Sequence, residues 1–205
     1  MAKDEEIRYN NFHIYNVRFL KRGNLVKALI NIDYTFDFVE GNLPCGEAAI
    51  HIEEKLVHIT KEFIEKGDYT VFAIDLHTEN DPFHPETKLF PPHNIKGTPG
   101  RNLYGSLKQV YDEHQSFSNV HWIDKTRYSA FAGTDLHIKL QERNIADLYL
   151  VGVCTDICVL HTAVDAYNLG YKLFIYENAV ASFNQEGHEW ALQHFKGTLG
   201  ATIIK

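Results

Sequence analysis

The chain has 205 residues, of which 44% are hydrophobic and 23% are charged, a balance typical of one soluble globular domain with an ample core. The formal net charge is −7 and no run of lysine and arginine exceeds two residues, so nucleic acid is not an expected partner, because binding to phosphate backbones needs clustered positive charge. Three cysteines are too few for a disulfide framework and are typical of a reducing compartment.

We expect no targeting or membrane signal at the start of the chain. Residues 1–25 are polar and irregular and lack the apolar core of a signal peptide. No segment approaches the roughly 20 apolar residues of a membrane span. We therefore expect a cytoplasmic protein without a membrane partner. We also expect an N-terminal arm or extension over 1–25, followed by a single domain over 26–205.

Apolar runs alternate with helical patterns along the rest of the chain. The runs predict strands at 26–32, 69–74, 120–123, 147–153, 172–176 and 198–204. The amphipathic segments predict helices at 47–66, 102–114, 136–143, 156–169 and 184–196. This alternation predicts an α/β fold with three layers, α/β/α, around a six-stranded, mainly parallel sheet with Rossmann-type strand order.

Residue types that do chemistry follow four of these strands. Ligands of open α/β sheets bind beyond the carboxyl ends of the strands, so these positions are the first candidates for a site. They are Asp33 after the first strand, Asp75 and His77 after the second, Lys125 after the third, and Cys154 and Cys158 after the fourth. An inert α/β domain has no need for this coincidence.

Cys158 is the candidate nucleophile. The segment 153–158 leaves a strand and enters a helix, with Thr155 as the expected N-cap and Cys158 in the first turn. Unpaired N–H groups and the helix dipole there favour a thiolate and can hold an oxyanion. The alternative is a small buried core residue, the commoner fate of a free cysteine.

Two charged residues can assist such a thiol. Asp33 can take its proton if the first and fourth strands are neighbours, although a carboxylate after a strand can also be a turn cap. Lys125 can be a fixed cation that stabilises the thiolate and the carboxylate, although a lysine is more commonly on the surface.

The segment from Asp75 to His93 is a candidate metal site. Asp75 and His77 are two residues apart on an extended strand end, so their side chains point to the same side. Glu86 or His84 can return with His93 to complete the site, and mixed imidazole and carboxylate ligands suit zinc, manganese or iron. A polar solvated loop is the alternative.

Aromatic residues flank these positions. Phe36 and Tyr128 each lie three residues past a proposed catalytic residue, so we expect them to wall a small flat pocket.

Taken together, these motifs resemble the nicotinamidase/pyrazinamidase branch of the isochorismatase-like cysteine hydrolases over residues 26–204. The resemblance rests on the segments 32–38, 75–77, 90–93, 97–100 and 152–158 and on Lys125. It implies a catalytic triad of Asp33, Lys125 and Cys158, and an oxyanion hole made by the backbone N–H groups of Cys154 and Cys158. It also implies a cis peptide bond before Cys154.

The resemblance further implies a bound divalent metal, zinc first, with manganese or iron as alternatives. The implied ligands are Asp75, His77, His93 and a variable fourth group, which we assign to Glu86 with His84 as the runner-up. Two positions depart from the family pattern. Phe90, which we expect in the substrate pocket, stands where the family often has Trp. Asn94 stands where Cys often follows the histidine, and we expect no consequence from it.

The implied function is hydrolysis of nicotinamide to nicotinate and ammonia, with pyrazinamide as a further substrate. The reaction would pass through a cysteine thioester, the metal would anchor the pyridine ring, and the pathway would be NAD salvage. We also expect a homo-oligomer. Two alternatives remain: another carboxamide or carbamoyl hydrolase of the same superfamily, and a catalytically silent metal-binding or assembly protein in which Cys158 is merely buried.

Overall fold

The structure is a computed structural model that describes residues 27–205. The predicted arm over 1–25 and the first residue of the predicted first strand lie outside the described residues. The strands are β1 (Ala28–Ile32), β2 (Tyr69–Asp75), β3 (Val120–Lys125), β4 (Asp147–Val153), β5 (Lys172–Ala181) and β6 (Thr202–Ile204). The α-helices are α1 (Phe36–Val39), α2 (Glu47–His51), α3 (Glu53–Glu65), α4 (Gly105–His114), α5 (Leu136–Glu142), α6 (Leu160–Asn168) and α7 (Gln185–Gly197).

The six strands form one sheet in the order β3-β2-β1-β4-β5-β6, and every pairing is parallel. The predicted α/β class and parallel sheet are confirmed. The strand order reverses between β1 and β4, where Ile32 pairs with Gly152. Asp33 and Cys154 therefore emerge side by side at the switch point, where open α/β sheets bind ligands.

The sheet is buried on both faces, which explains why its central strand β1 is apolar except for Asn31. Every residue of β1 is buried. Ile30 and Ile32 belong to the core cluster that contains Ala163 of α6 and Phe195 of α7. Leu29 belongs to the opposite cluster, with residues of α3 and α4. Because successive side chains of a strand point to opposite faces, β1 stabilises both layers.

Several element bounds differ from those predicted. The helix predicted over 47–66 is divided at Ile52 into α2 and α3. β5 continues to Ala181, past a register shift in its pairing with β4 between Leu150 and Gly152. β6 is short because the backbone N–H groups of Thr198, Leu199 and Ala201 hydrogen-bond back to the end of α7. Within residues 27–205, no helix is long and apolar enough to span a membrane.

The entry to α6 also departs from the expectation. A π-helical turn, Thr155–Val159, precedes α6, and Cys154 is its N-cap. The prediction that Thr155 caps this helix is wrong. Its hydroxyl instead hydrogen-bonds to Nδ1 of His188 at 2.8 Å.

Candidate active site and metal centre

Asp33 turns the chain out of β1 directly into the site. Its φ of 53° lies in the left-handed region, which aspartate visits more readily than most residues, and its side chain is fully buried. One carboxylate oxygen, Oδ1, accepts a hydrogen bond from the backbone N–H of Asp75 at 2.8 Å. The other, Oδ2, lies 2.7 Å from Nζ of Lys125. Burial raises the pKa of Asp33 to about 6, against the opposing effect of Lys125.

Lys125 connects the candidate catalytic groups. It is the last residue of β3, is fully buried, and reaches past the end of β2 to the switch point. Its Nζ lies 2.7 Å from Asp33 Oδ2 and 3.7 Å from Cys158 Sγ. Although burial opposes its charge, Asp33 and Asp75 raise the pKa of Lys125 well above its usual range. The surface-lysine alternative is therefore excluded, and Lys125 is a buried fixed cation.

Cys158 lies in the π-helical turn and is 4% exposed. Burial raises the pKa of its thiol well above the usual range, Lys125 lowers it, and the Asp33 charge raises it again. A neutral resting thiol next to a carboxylate is favoured over the resting thiolate expected from the helix start. Asp33 is then placed to accept the thiol proton when the sulfur attacks.

Cys154 lies beside Cys158 at the wall of one cavity. The peptide bond between Val153 and Cys154 is cis, as the family resemblance implies. The Cys154 thiol is buried and lies 3.3 Å from the thiol of Cys45, a loop residue outside the predicted site. Both residues expected to supply oxyanion-hole N–H groups therefore face the same small space.

Four buried side chains at the end of β2 bring their donor atoms within 4.8 Å of one another: Asp75, His77, Glu86 and His93. Nε2 of His77 is 2.7 Å from Asp75 Oδ2, and Nε2 of His93 is 3.7 Å from that oxygen and 3.6 Å from Glu86 Oε2. Nδ1 of His93 hydrogen-bonds to the carbonyl of Pro91, which fixes the ring. Nε2 of His93 is buried and has no hydrogen-bond partner in the described part of the chain.

The electrostatics of this cluster fit a divalent cation. Although burial opposes protonation, Asp75 and Glu86 raise the pKa of His93 to about 10. Burial by itself raises the pKa of Asp75. Lys125 and the two histidines outweigh burial and hold this pKa well below its usual range. Two buried carboxylates thus require positive charge beside them. A divalent metal can supply that charge, and two imidazoles with two carboxylates suit zinc, manganese or iron.

The sequence allows either Glu86 or His84 as the fourth member of the cluster. In the structure Glu86 belongs to it and His84 does not. His84 donates from Nε2 to the carbonyl of Thr126 at 2.8 Å, and its Nδ1 accepts the backbone N–H of Glu86 at 3.3 Å. Both ring nitrogens are therefore occupied. His84 caps the 3₁₀ turn Pro85–Lys88, and that turn brings the Glu86 carboxylate to the cluster.

The cavity at Cys158 has an empty volume of about 230 Å³. Phe90 and Tyr128 line it, as expected, but Phe36 does not. Phe36 is 46% exposed and stacks on Tyr104, while Phe38 lines the cavity. Side chains two positions apart on a helix point in directions about 200° apart. Only one of Phe36 and Phe38 can therefore face the cavity.

Three further residues line the cavity that the sequence analysis did not predict there: Leu43, Ile157 and Phe183. Leu43 and Phe183 lie in loops without a periodic pattern, and only the position of Ile157 next to Cys158 could have indicated it. Glu86 and Phe90 line both this cavity and the neighbouring one beside the histidines. The thiol and the metal cluster therefore border adjacent cavities.

The chain matches the isochorismatase domain family model over residues 27–205. It is 62% identical to the nicotinamidase/pyrazinamidase PncA of Bacillus subtilis, whose structure superposes with a TM-score of 0.87 over 88% of this chain and 100% of that one. The pyrazinamidase/nicotinamidase of Streptococcus mutans is 56% identical, with a TM-score of 0.85 over 87% and 99% of the chains. A zinc complex of Pyrococcus horikoshii pyrazinamidase is 31% identical, with a TM-score of 0.76 over 87% and 98%.

Proposed function

The chain belongs to the isochorismatase domain family, and we propose that it is an amidase that hydrolyses nicotinamide to nicotinate and ammonia, and pyrazinamide in the same way. One observation carries the proposal. A buried lysine, Lys125, lies within 3.7 Å of the Cys158 thiol and 3.4 Å of Asp75 in the candidate metal cluster. A nucleophile for the carboxamide and a cluster for the ring nitrogen thus share one site.

Acylation uses Asp33 and Cys158. As the sulfur attacks the carboxamide carbon, the thiol proton passes to the Asp33 carboxylate, and the oxyanion is held by the backbone N–H groups of Cys154 and Cys158. The C–N bond then breaks, and Asp33 returns the proton to the nitrogen, which leaves as ammonia. The product is a thioester between Cys158 and the pyridine carbonyl. Lys125 stays protonated and keeps the Asp33 carboxylate ionised and oriented.

Deacylation repeats these roles of Asp33, with water as the nucleophile and the Cys158 sulfur as the leaving group. Asp33 takes a proton from water, the oxygen attacks the thioester carbonyl, and the C–S bond breaks. The proton returns to the Cys158 sulfur, and the product acid leaves as nicotinate after giving its remaining proton to solvent. One group therefore acts as base and then as acid in each half-reaction, and its pKa of about 6 suits both roles near neutral pH.

Ring selection involves the metal cluster and the aromatic walls. A divalent metal held by Asp75, His77, Glu86 and His93, zinc first with manganese or iron as alternatives, would supply a Lewis acid that anchors the pyridine nitrogen. Phe38, Phe90, Tyr128 and Phe183 offer apolar faces to a flat ring beside Cys158. These walls hold the carboxamide over the sulfur and exclude bulk water.

Three wider expectations remain predictions: a place in NAD salvage, a cytoplasmic location and a homo-oligomeric state. The place in NAD salvage and the homo-oligomeric state rest on the family resemblance, and the cytoplasmic location rests on the sequence pattern.

Ammonia release tests the proposed activity. Purified, zinc-loaded protein is incubated with nicotinamide, pyrazinamide and a carbamoyl amino acid, and ammonia is assayed. We expect turnover of the two ring carboxamides and none of the carbamoyl compound. Turnover of the carbamoyl compound alone would identify another hydrolase of the superfamily, and no turnover of any amide would favour a catalytically silent protein.

A further inference from the structure

Asn94 lies in a buried network that connects the two histidines of the metal cluster to the end of β1. It directly follows His93 in the chain and is fully buried. Its φ of 44° lies in the left-handed region, where asparagine is accommodated better than most residues with a side chain. The residue at this position must therefore adopt a left-handed backbone conformation. Comparison with the family pattern alone does not show this requirement.

Three hydrogen bonds fix Asn94. Its backbone N–H donates to Oδ2 of Asp37 at 2.8 Å. Its backbone carbonyl accepts from the N–H of His77 at 3.1 Å. Its side-chain Oδ1 accepts from the hydroxyl of Thr35 at 2.9 Å. Because Asn94 is covalently joined to His93 and hydrogen-bonded to His77, both histidines depend on one anchor.

The groups that hold Asn94 have little freedom to move. The Asp37 carboxylate also accepts the N–H of Asn42 at 3.1 Å and is enclosed by two glycines. A β-carbon at Gly41 or Gly100 would lie 2.5 or 2.2 Å from its oxygens, so this contact requires glycine at both positions. The carboxylate is therefore confined on both sides.

The chain after Asn94 runs beside His77. Ile95 forms an isolated parallel bridge with His77, and the N–H of Lys96 donates to the His77 carbonyl at 2.9 Å. Both backbone polar groups of His77 are thus bonded to the segment that Asn94 starts. A shift of Asn94 would move His93 through the covalent chain and His77 through these hydrogen bonds.

We propose that Asn94, held by Thr35 and Asp37, is a positioning residue of the metal centre. It sets His77 and His93 at the separation at which both present Nε2 to one ion. The inference rests on the metal site of the proposed function. Residues that orient metal ligands typically change metal affinity by about 10- to 100-fold when they are replaced.

The test measures metal binding without substrate. Zinc affinity of the metal-free protein is determined by competition with a chromophoric chelator, and the ligand geometry is followed by the visible absorption of bound cobalt(II). Thr35→Val removes the hydroxyl at nearly constant volume, whereas Thr35→Ser keeps the donor to Asn94. Asn94→Ala removes the side chain and disfavours the left-handed backbone. Asn144→Ala is the matched control, because Asn144 is exposed and has a φ of 53°.

We expect Thr35→Val and Asn94→Ala to weaken zinc binding by roughly tenfold or more and to alter the cobalt spectrum. Thr35→Ser and Asn144→Ala should bind both metals as the wild type does. Wild-type affinity in Thr35→Val and Asn94→Ala, with only a lower Tm, would overturn the proposal, as would an equal loss in Asn144→Ala. If Asn94→Ala does not fold, the two Thr35 variants decide.

The same measurements distinguish this inference from the proposed amidase activity. Zinc binding by the wild type without amide turnover would reject the activity and leave the positioning role of Asn94 intact. A wild-type protein that binds neither zinc nor cobalt(II), manganese or iron would overturn the positioning role, and ammonia release would then decide the amidase activity separately.

Discussion

Gly152 sets the distance between the strands that carry the base and the nucleophile. It pairs with Ile32 across β1 and β4, and its φ is 115°. A β-carbon at this position would lie 2.0 Å from the Ile32 carbonyl oxygen, about 1.4 Å short of ordinary van der Waals contact, which begins at 3.4 Å. Asp33 directly follows Ile32, so Gly152→Ala must displace the base relative to the loop that carries Cys158.

A displacement of this size has a calculable consequence. A misplacement of about 1 Å between reacting groups can lower the rate on the order of a hundredfold. We therefore expect Gly152→Ala to lower kcat/KM for nicotinamide by about two orders of magnitude. The Tm should also fall, because alanine is strained at this φ and the two central strands must separate.

Gly170→Ala separates crowding from conformational strain. Gly170 has a φ of 84°, but a β-carbon there would meet no atom within 4 Å. It lies before the amino end of β5, whereas the site lies at the carboxyl ends of the strands. The assay is steady-state ammonia release together with thermal unfolding of both variants. Gly170→Ala should lose stability and keep its kcat/KM. Wild-type kcat/KM in Gly152→Ala, or an equal loss of activity in Gly170→Ala, would refute the reasoning.

Three further substitutions test the roles of the site residues. Cys158→Ala should abolish ammonia release and leave bound zinc, measured by metal analysis, unchanged; residual turnover would mean that a water rather than the thiol is the nucleophile. His77→Ala should lose zinc and ammonia release while iodoacetamide alkylates Cys158 at nearly the wild-type rate; a silenced thiol would show that the metal loop builds the nucleophile's pocket. Lys125→Met should slow that alkylation, because the Lys125 charge lowers the pKa of the buried thiol. The exposed ion-paired Lys108 provides the control variant Lys108→Met, and equal alkylation rates in both variants would contradict the assigned role of Lys125.

The sheet and the chemistry at its edge were predictable because they follow from strong local patterns. Buried strands are apolar and short, and their carboxyl ends meet at one edge of a parallel sheet. That rule alone places Asp33, Asp75, Lys125 and Cys158 together. The charge state of Cys158 was not predictable in this way, because it depends on burial and on the neighbouring Asp33 as well as on the helix start.

The loops were less predictable because no periodicity constrains them. The sequence between β2 and α4 allows either Glu86 or His84 to join the cluster, and only the hydrogen bonds of His84 separate them. Phe36 and Phe38 look equivalent until the short helix α1 fixes which one faces the cavity. Asn94 departs from the family pattern, and we expected no consequence from this departure. Its hydrogen bonds to Thr35, Asp37 and His77 join residues that are distant in the sequence, so a local pattern does not predict them.

The covalent intermediate on Cys158 is the central claim, and mass spectrometry of the protein tests it most directly. Zinc-loaded protein turning over nicotinamide is quenched in acid within the first turnovers and digested. We expect the peptide that contains Cys158 to gain one nicotinoyl group in place of the thiol hydrogen, and we expect hydroxylamine treatment to remove it. Ammonia release with unmodified Cys158 under the same quench, or a nicotinoyl group on Cys154 or Cys45 instead, would contradict the account.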